Sequence, residues 1–250
     1  MMRIFTLVGL LVVSATVAWP QQKILVAAAS DLRFALDSLT SAFESSNDAK
    51  VEISYGSSGK LAQQIVHGAP FDVFFSADIA YPEQLETEHK TGSAIYPYAR
   101  GRIVLWSRQL DPNVRQIQTV VDPSVVKIAI ANPMHAPYGK RAIEALQYYR
   151  LWKTVKARAV YGENISQTAQ FVTSGAADAG FIALSLALSP PMQKEGGKYY
   201  LIPEESHAPL IQAAVITQHG KANALARAFL DFVKSDRANH ILSHFGFTKP

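Results

Sequence analysis

Apolar and polar positions alternate along the chain with two periods, one typical of strands and one typical of helices. Residues 23–28 are a short, almost wholly apolar run, which predicts a buried strand. Residues 32–43 then carry apolar side chains at helical spacing, and Ser30 stands where a serine caps a helix. Residues 51–55 alternate as a strand does, and a short helix follows that ends at Gly68. Repeated strand-then-helix units predict parallel sheets covered by helices.

The second half of the chain repeats this alternation. Its predicted strands are residues 102–106, 127–131, 157–161, 179–184 and 213–217, and its predicted helices are residues 142–149, 165–174 and 225–233. Residues 189–198 hold two prolines and two glycines, which predicts an exposed loop. This order favours two α/β lobes with a crevice between them. Ligands of open α/β sheets bind beyond the carboxyl ends of the strands.

Four of the predicted strands end in a turn of small residues that begins a helix. These turns are residues 27–31, 55–60, 132–139 and 163–166. The first turn of a helix offers unpaired N–H groups and a partial positive charge, so it suits an anion. One such turn alone more often serves only to cap its helix. Four of them at strand ends predict that a small anion is enclosed by donors from distant segments.

Composition excludes several classes of function. The chain has 250 residues, of which 48% are hydrophobic and 18% are charged, as in ordinary globular proteins. Its net charge of +4 is too small to indicate a nucleic-acid partner. The absence of cysteine excludes disulfides, thiolate metal sites and cysteine nucleophiles.

The amino terminus has the pattern of a secretory signal peptide. Residues 1–3 are short and cationic, residues 4–13 are uninterruptedly apolar, and residues 14–18 are small or apolar. We therefore predict that residues 1–22 are a signal peptide and a short tail, with cleavage near Ala18. A membrane anchor is the alternative, but the apolar run is shorter than the roughly 20 residues that span a bilayer.

Several short motifs, spread over nearly the whole mature chain, resemble one family. They are Val-Ala-Ala-Ala-Ser at 26–30, Gly-Ser-Ser-Gly at 56–59, Gly-Ala-Pro at 68–70, Phe-Phe-Ser-Ala-Asp at 74–78, Ala-Ile-Ala-Asn-Pro at 129–133, Ala-Pro-Tyr-Gly at 136–139, Ser-Gly-Ala-Ala-Asp at 174–178 and Phe-Gly-Phe at 245–247. Each is weak alone, but together they resemble the periplasmic molybdate-binding proteins that deliver an oxyanion to an ABC-type importer.

This resemblance implies the fold and its division. The expected fold is α/β, the two-lobed periplasmic binding protein fold of type II, in which each lobe is a mainly parallel sheet flanked by helices and the ligand lies in the interlobe cleft. Residues 23–100 plus 214–250 are expected to form lobe 1, and residues 101–213 lobe 2. The chain is expected to cross between the lobes near residues 98–102 and 211–214.

The resemblance also implies the residues that bind the anion. Ser30 and Ser58 are expected to donate a hydroxyl and an N–H each from lobe 1, with Ser57 as the alternative to Ser58. Tyr138 and Ile165 are expected to donate backbone N–H groups from lobe 2.

One expected donor of the family is missing. In some relatives a tyrosine hydroxyl reaches the ligand from the position that Ala183 holds here. Either one donor is lost, or the N–H of Asp31 or the hydroxyl of Tyr138 replaces it.

The chemistry of the donors agrees with a bare oxyanion. Molybdate at neutral pH accepts but does not donate hydrogen bonds, whereas a protonated phosphate would leave its hydrogen without an acceptor. Sulfate must be rejected by size, and tungstate is nearly the same size as molybdate. The expected protein is thus an exported, monomeric, non-catalytic binding protein for molybdate and tungstate. It needs no cofactor or cation site, is periplasmic, and has a membrane permease of an ABC importer as its partner.

Charged residues near the turns have simpler interpretations. Asp31 and Glu163 are expected to cap helices and to face away from the ligand. Lys60, Lys140 and Arg141 either attract anions over a distance or form an ordinary solvated helix face.

The alternatives are a binding protein for sulfate, phosphate or a small carboxylate, or a serine hydrolase. A hydrolase triad of Ser30, Asp31 and His135 lacks the Gly-x-Ser-x-Gly elbow. Residues 56–61 fail as a P-loop, because the glycines are too close and a leucine follows the lysine. His240 and His244 are a lone pair at helical spacing, without a third metal ligand.

Overall fold

The computed structural model describes residues 22–250. The predicted cleavage site and nearly all of the predicted signal peptide lie in residues 1–21, outside the described residues. Across the described part, no helix combines the length and the apolar character needed to cross a membrane.

Strands and helices alternate along the described residues. The strands are β1 (Gln22–Ala29), β2 (Ala49–Gly56), β3 (Val73–Ser76), β4 (Tyr96–Gly101), β5 (Ile103–Ser107), β6 (Ile128–Ala131), β7 (Ala159–Gly162), β8 (Ala179–Ala183), β9 (Lys198–Leu201) and β10 (Leu210–Ile216). The α-helices are α1 (Arg33–Glu44), α2 (Ser58–Val66), α3 (Ala80–Thr87), α4 (Pro112–Arg115), α5 (Pro137–Tyr148), α6 (Trp152–Val155), α7 (Ile165–Thr173), α8 (Leu184–Ala187), α9 (Pro190–Lys194), α10 (Ala224–Val233) and α11 (Asp236–His244).

The strands form two sheets of five with the same architecture. The first sheet has the order β2-β1-β3-β10-β4, and the second has the order β7-β6-β8-β5-β9. In the first, β1 pairs in parallel with β2 and β3, while β10 is antiparallel to both of its neighbours. In the second, β6 and β5 take the corresponding roles. Four strands of each sheet therefore point the same way, which confirms the predicted two-lobed α/β fold. We call each sheet with its flanking helices a lobe.

Helices cover the sheets through apolar faces with the predicted spacing. Helix α1 buries Leu36, Leu39 and Phe43 against the first sheet. The ring of Phe229 in α10 packs edge-on against Phe43, with ring centroids 5.1 Å apart, and lies 6.0 Å from the ring of Phe75 in β3. These contacts tie the carboxyl-terminal helices to the first lobe.

The second crossing between the sheets differs from the prediction. Strand β10 pairs with β4 from its first residue, with Leu210 opposite Gly101 and Ile211 opposite Arg100. Residues 210–213, predicted in lobe 2, thus lie in the first sheet, and the chain crosses between Leu201 and Leu210. The strand start was missed because Gln212 is polar and interrupts the apolar pattern. Its side chain is nevertheless fully buried, and it accepts a hydrogen bond from the Tyr98 hydroxyl. In other respects the division into 23–100 plus 214–250 and 101–213 stays a prediction.

The predicted loop at residues 189–198 is partly helical. Helix α9 has prolines in its first turn, where a missing N–H costs nothing, and Met192 is buried. Proline therefore marks the start of a helix here.

Candidate functional site

The four predicted turns meet at one small cavity between the lobes. It is lined by Ala29, Ser30, Asp31, Gly56, Ser57, Ser58, Ala77, Ala136, Pro137, Tyr138 and Ile165. Three of these segments begin helices, because β2, β6 and β7 are each followed by a turn into α2, α5 or α7. The fourth leads from β1 through a 3-10 turn at residues 30–32 into α1. The structure thus brings Ser30, Ser58, Tyr138 and Ile165 together. That they bind an anion stays a prediction.

Ser30 does not cap its helix as the sequence predicts. No side chain caps the 3-10 turn or α1. The Ser30 hydroxyl instead donates to Asn164 Oδ1 at 3.2 Å and accepts the N–H of Ser166 at 3.3 Å. Both partners belong to the second lobe, so Ser30 joins the lobes.

The pair Ser57 and Ser58 has two different environments. The Ser58 hydroxyl is fully buried and accepts the N–H of Ala77 at 3.0 Å. Its own hydrogen has no acceptor within residues 22–250 and can donate to a ligand. The Ser57 hydroxyl lies 2.9 Å from His135 Nδ1, across the cleft. Burial lowers the pKa of His135, although Glu163 opposes this shift. Because the Ser57 hydroxyl is paired with His135 and the Ser58 hydrogen is not paired, Ser58 is favoured as the donor to a ligand.

Two helices of the second lobe present free N–H groups at the cavity. Tyr138 is the second residue of α5, after Pro137, and Ile165 is the first residue of α7. Asn164 caps α7 by accepting the N–H of Gln167 at 3.0 Å. Among residues 22–250, no hydrogen-bond partner is found for the N–H of Tyr138 or of Ile165.

Asp31 is not the outward-facing cap that the sequence predicts. Its side chain is buried at the cavity, and Oδ2 accepts the Tyr138 hydroxyl at 3.0 Å and the Gln212 amide at 2.5 Å. Burial raises the pKa of Asp31 to about 6, although the hydrogen bonds from Gln212 and Tyr138 lower it. A Cβ at Gly101 would collide with the Tyr138 hydroxyl and the Gln212 amide, so only glycine leaves room for this network.

The other oxygen of Asp31 has no proper partner. Oδ1 is buried and makes no hydrogen bond of normal geometry among the described residues. The N–H groups of Asp31 and Leu32 nevertheless lie close enough to lower the pKa of this carboxyl. A buried carboxyl with one unpaired oxygen is unfavourable beside a dianion unless the carboxyl is protonated or its free oxygen accepts a hydrogen from the ligand.

These contacts reduce the number of groups that could replace the tyrosine hydroxyl missing at Ala183. Ala183 ends β8, is fully buried opposite Ile103, and does not line the cavity. The Tyr138 hydroxyl donates to Asp31 and accepts from Gln212 at 3.1 Å, so it is already engaged. Burial raises its pKa well above the usual range, which keeps it protonated. The Asp31 N–H or the simple loss of one donor remains as the alternative, and both stay predictions.

Two of the three predicted cations, Arg141 and Lys60, are engaged in ion pairs across the cleft, whereas Lys140 is exposed. Arg141 is buried and binds Asp78 of the first lobe at 2.8 Å, so the alternative of a solvated helix face is wrong for this residue. Lys60 pairs with Glu163, and this contact lowers the pKa of Glu163. Glu163 also lies 3.5 Å from His135 Nε2 and is absent from the lining of the cavity. Its charge is thus balanced outside the candidate site.

The hydrolase arrangement does not form. His135 contacts Ser57 and not Ser30, and Asp31 contacts Tyr138 and Gln212. Among the described residues no three His, Cys, Asp or Glu side chains group as metal ligands would.

Four polar residues of the site received no individual role in the sequence analysis, although two of them lie in the predicted turn 163–166. They are Asn164, Ser166, Ser185 and Gln212, all of which contact the Ser30–Asp31 turn. Gln212 carried a signal, since it is the one polar side chain in the apolar run of β10. The other three stand at helix starts, where polar residues are common for capping alone.

Comparison with known proteins identifies the family. The model of the bacterial extracellular solute-binding proteins matches residues 24–248. The molybdate-binding protein ModA of Rhodobacter capsulatus is 37% identical over 79% of this chain and 77% of its own length. ModA of Azotobacter vinelandii is 35% identical over 96% of this chain and 93% of its own length.

The fold agrees with the same family. The solved structure of the Azotobacter vinelandii periplasmic molybdate-binding protein superimposes with a TM-score of 0.84 at 33% identity, covering 91% of this chain and 99% of that one. These relatives are binding proteins of transport systems and not enzymes. The chain belongs to the ModA family of bacterial extracellular solute-binding proteins.

Proposed function

We propose that this protein binds molybdate, and also tungstate, between its lobes through hydrogen bonds alone. The donors are the hydroxyl and N–H groups of Ser30 and Ser58 and the N–H groups of Tyr138 and Ile165, with the N–H of Asp31 as a further donor. To reach the anion, the Ser30 hydroxyl must turn its hydrogen away from Asn164 Oδ1. The single observation that carries the proposal is the convergence of four chain turns on one cavity. The choice of molybdate as the ligand is supported by the molybdate-binding relatives at 35–37% identity.

The electrostatics of the cavity support an anion without a cationic partner. The amino ends of α2, α5 and α7 meet there, and each contributes a partial positive charge. The nearby cations Lys60 and Arg141 are neutralised by Glu163 and Asp78. Charge on the ligand is therefore balanced by peptide dipoles.

Binding requires a small movement. The cavity volume is about 10 Å³, close to the minimum that one water molecule requires. A tetrahedral oxyanion is larger, so the side chains that enclose the cavity must shift outward when the lobes close on it. The chain passes between the sheets at Arg102 and at residues 202–209, and these two segments are the hinge about which the lobes open to admit the anion.

A protonated oxyanion such as hydrogen phosphate is the second candidate ligand. The specific observation in its favour is the unpaired Oδ1 of Asp31, since an ionised carboxylate would accept the hydrogen of such a ligand. Molybdate instead requires Asp31 to be protonated, because a bare dianion beside a carboxylate is unfavourable.

A thermal-shift panel of molybdate, tungstate, sulfate, phosphate and citrate tests the ligand. An anion that binds only the folded protein should stabilise it by about 2.7 kcal/mol at 100 times its dissociation constant. We expect shifts with molybdate and tungstate. A shift with phosphate or citrate alone would reject the proposal.

Ser58→Ala should weaken molybdate binding by about 1.5–3 kcal/mol, the usual value for a hydrogen bond to a charged group. Ser57→Ala is the matched control, because its hydroxyl is engaged by His135. Calorimetric titration of both variants measures the difference, and unfolding without ligand measures the separate cost at the Ala77 N–H. Stronger loss in Ser57→Ala would make Ser57 the donor.

For the cellular role we propose an exported, periplasmic and monomeric protein that delivers its anion to the permease of an ABC importer. It needs no cofactor and no nucleic acid. The family of extracellular solute-binding proteins and the predicted signal peptide support export. Periplasmic fractionation of a cell that expresses the full chain tests this part.

A further inference from the structure

The second lobe holds the Ser30–Asp31 turn by its backbone carbonyls. The Ser166 hydroxyl, from the first turn of α7, donates to the carbonyl oxygen of Ser30 at 2.9 Å. The Ser185 hydroxyl, from α8, donates to the carbonyl oxygen of Asp31 at 2.7 Å. We call these two contacts the hydroxyl clasp. Ser166 and Ser185 are both absent from the lining of the cavity.

The clasp joins the two lobes. Its donors and acceptors are 136 and 154 positions apart in sequence; the donors follow strands of the second sheet, and the acceptors follow β1 of the first. Ser185 is 4% exposed, so its hydroxyl is shielded from water in the closed arrangement. Parting the lobes would break both contacts and return all four groups to water.

We propose that Ser185 and Ser166 are positioning residues that set the affinity of the protein by stabilising the closed form, without contacting the anion. The inference rests on the proposed function, since it concerns closure over the same site. If the anion binds the closed form, its apparent dissociation constant varies inversely with the closed fraction. A contact made only on closure therefore changes the affinity for every anion by the same factor.

This behaviour differs from that of a residue that contacts the ligand. Loss of a donor such as the Ser58 hydroxyl acts on the anion directly, so its effect depends on the size and charge distribution of the anion. Loss of the clasp leaves the ratio of two dissociation constants unchanged. The radius of gyration without ligand separates the two roles, because loss of a ligand donor leaves the unliganded lobes as they are, whereas loss of the clasp lets them part.

The test is calorimetric titration of the mature protein with molybdate and with tungstate. Ser185→Ala should raise both dissociation constants by the same factor, about three- to tenfold for one lost neutral hydrogen bond. Ser185→Thr, which keeps a hydroxyl, should restore most of the affinity. Ser189→Ala is the matched control, because this fully buried serine donates to Leu186 within its own lobe.

Ser166→Ala provides a second variant if Ser185→Ala does not fold, and it should have the same anion-independent effect. Small-angle scattering without ligand should show a larger radius of gyration for each clasp variant than for Ser189→Ala. Unchanged dissociation constants in folded clasp variants, or a changed molybdate-to-tungstate ratio, would overturn the inference. If the unsubstituted protein bound neither anion, the proposed function itself would fail.

Discussion

Ile165→Pro is expected to weaken molybdate binding by about 1.5–3 kcal/mol, or roughly 10- to 150-fold, because it deletes one N–H donor to a charged ligand. The fold should tolerate the change. Ile165 is the first residue of α7, the position where proline is most readily accepted. The preceding Asn164 has φ −147° and ψ 176°, an extended conformation that a following proline allows.

Ile165→Val is the matched control, since it keeps the N–H and has nearly the volume of proline. We expect its affinity to stay within a few-fold of the unsubstituted protein. Circular dichroism checks that both variants are folded, and calorimetric titration gives the two affinities. Equal affinities in the two variants would remove the Ile165 N–H from the site.

Asp31→Asn is expected to change how stability depends on pH. Burial raises the pKa of Asp31 from 3.8 to about 6, so the folded protein holds this proton more tightly than the unfolded chain. The stability from this group is fully present below pH 3.8 and is lost as pH rises to about 6. At about 1.4 kcal/mol per pKa unit, the loss is about 3 kcal/mol.

Asparagine has the same shape, can still accept from Tyr138 and Gln212, and does not ionise. The variant should therefore be more stable than the unsubstituted protein at pH 7, and this advantage should disappear near pH 4. Urea unfolding of both proteins at several pH values gives the difference between their free energies of unfolding. The contributions of the other titrating groups are the same in both proteins and cancel in this difference. A difference that does not vary with pH would show that Asp31 titrates normally.

The same substitution tests the link between Asp31 and the anion. A bound dianion would favour the neutral acid further, so the affinity for molybdate should rise as pH falls from 8 to 6. The affinity of Asp31→Asn should be flat over this range. If hydrogen phosphate is the ligand instead, the ionised carboxylate is needed, and Asp31→Asn should abolish binding.

The sequence by itself predicted the elements that have a local signature. Helix α1 and strands β1, β6 and β8 were recognised because one face or the whole segment is apolar at a fixed period. The turns after β1, β2, β6 and β7 were recognised because small residues and helix starts follow strands. Motifs within those turns, together with others spread along the chain, were enough to predict the family.

Only the tertiary structure decided how the polar side chains of the turns are used. Ser30 and Asp31 had the local pattern of capping residues, yet their partners are Asn164, Tyr138 and Gln212, more than 100 positions away. Local periodicity reports which face of an element is buried, but not which distant group completes a hydrogen bond. The start of β10 was misjudged for the same reason, because the partner of Gln212 lies on another strand. The sequence thus determined where the four turns lie, while the meeting of the two lobes determined what the polar side chains of those turns contact.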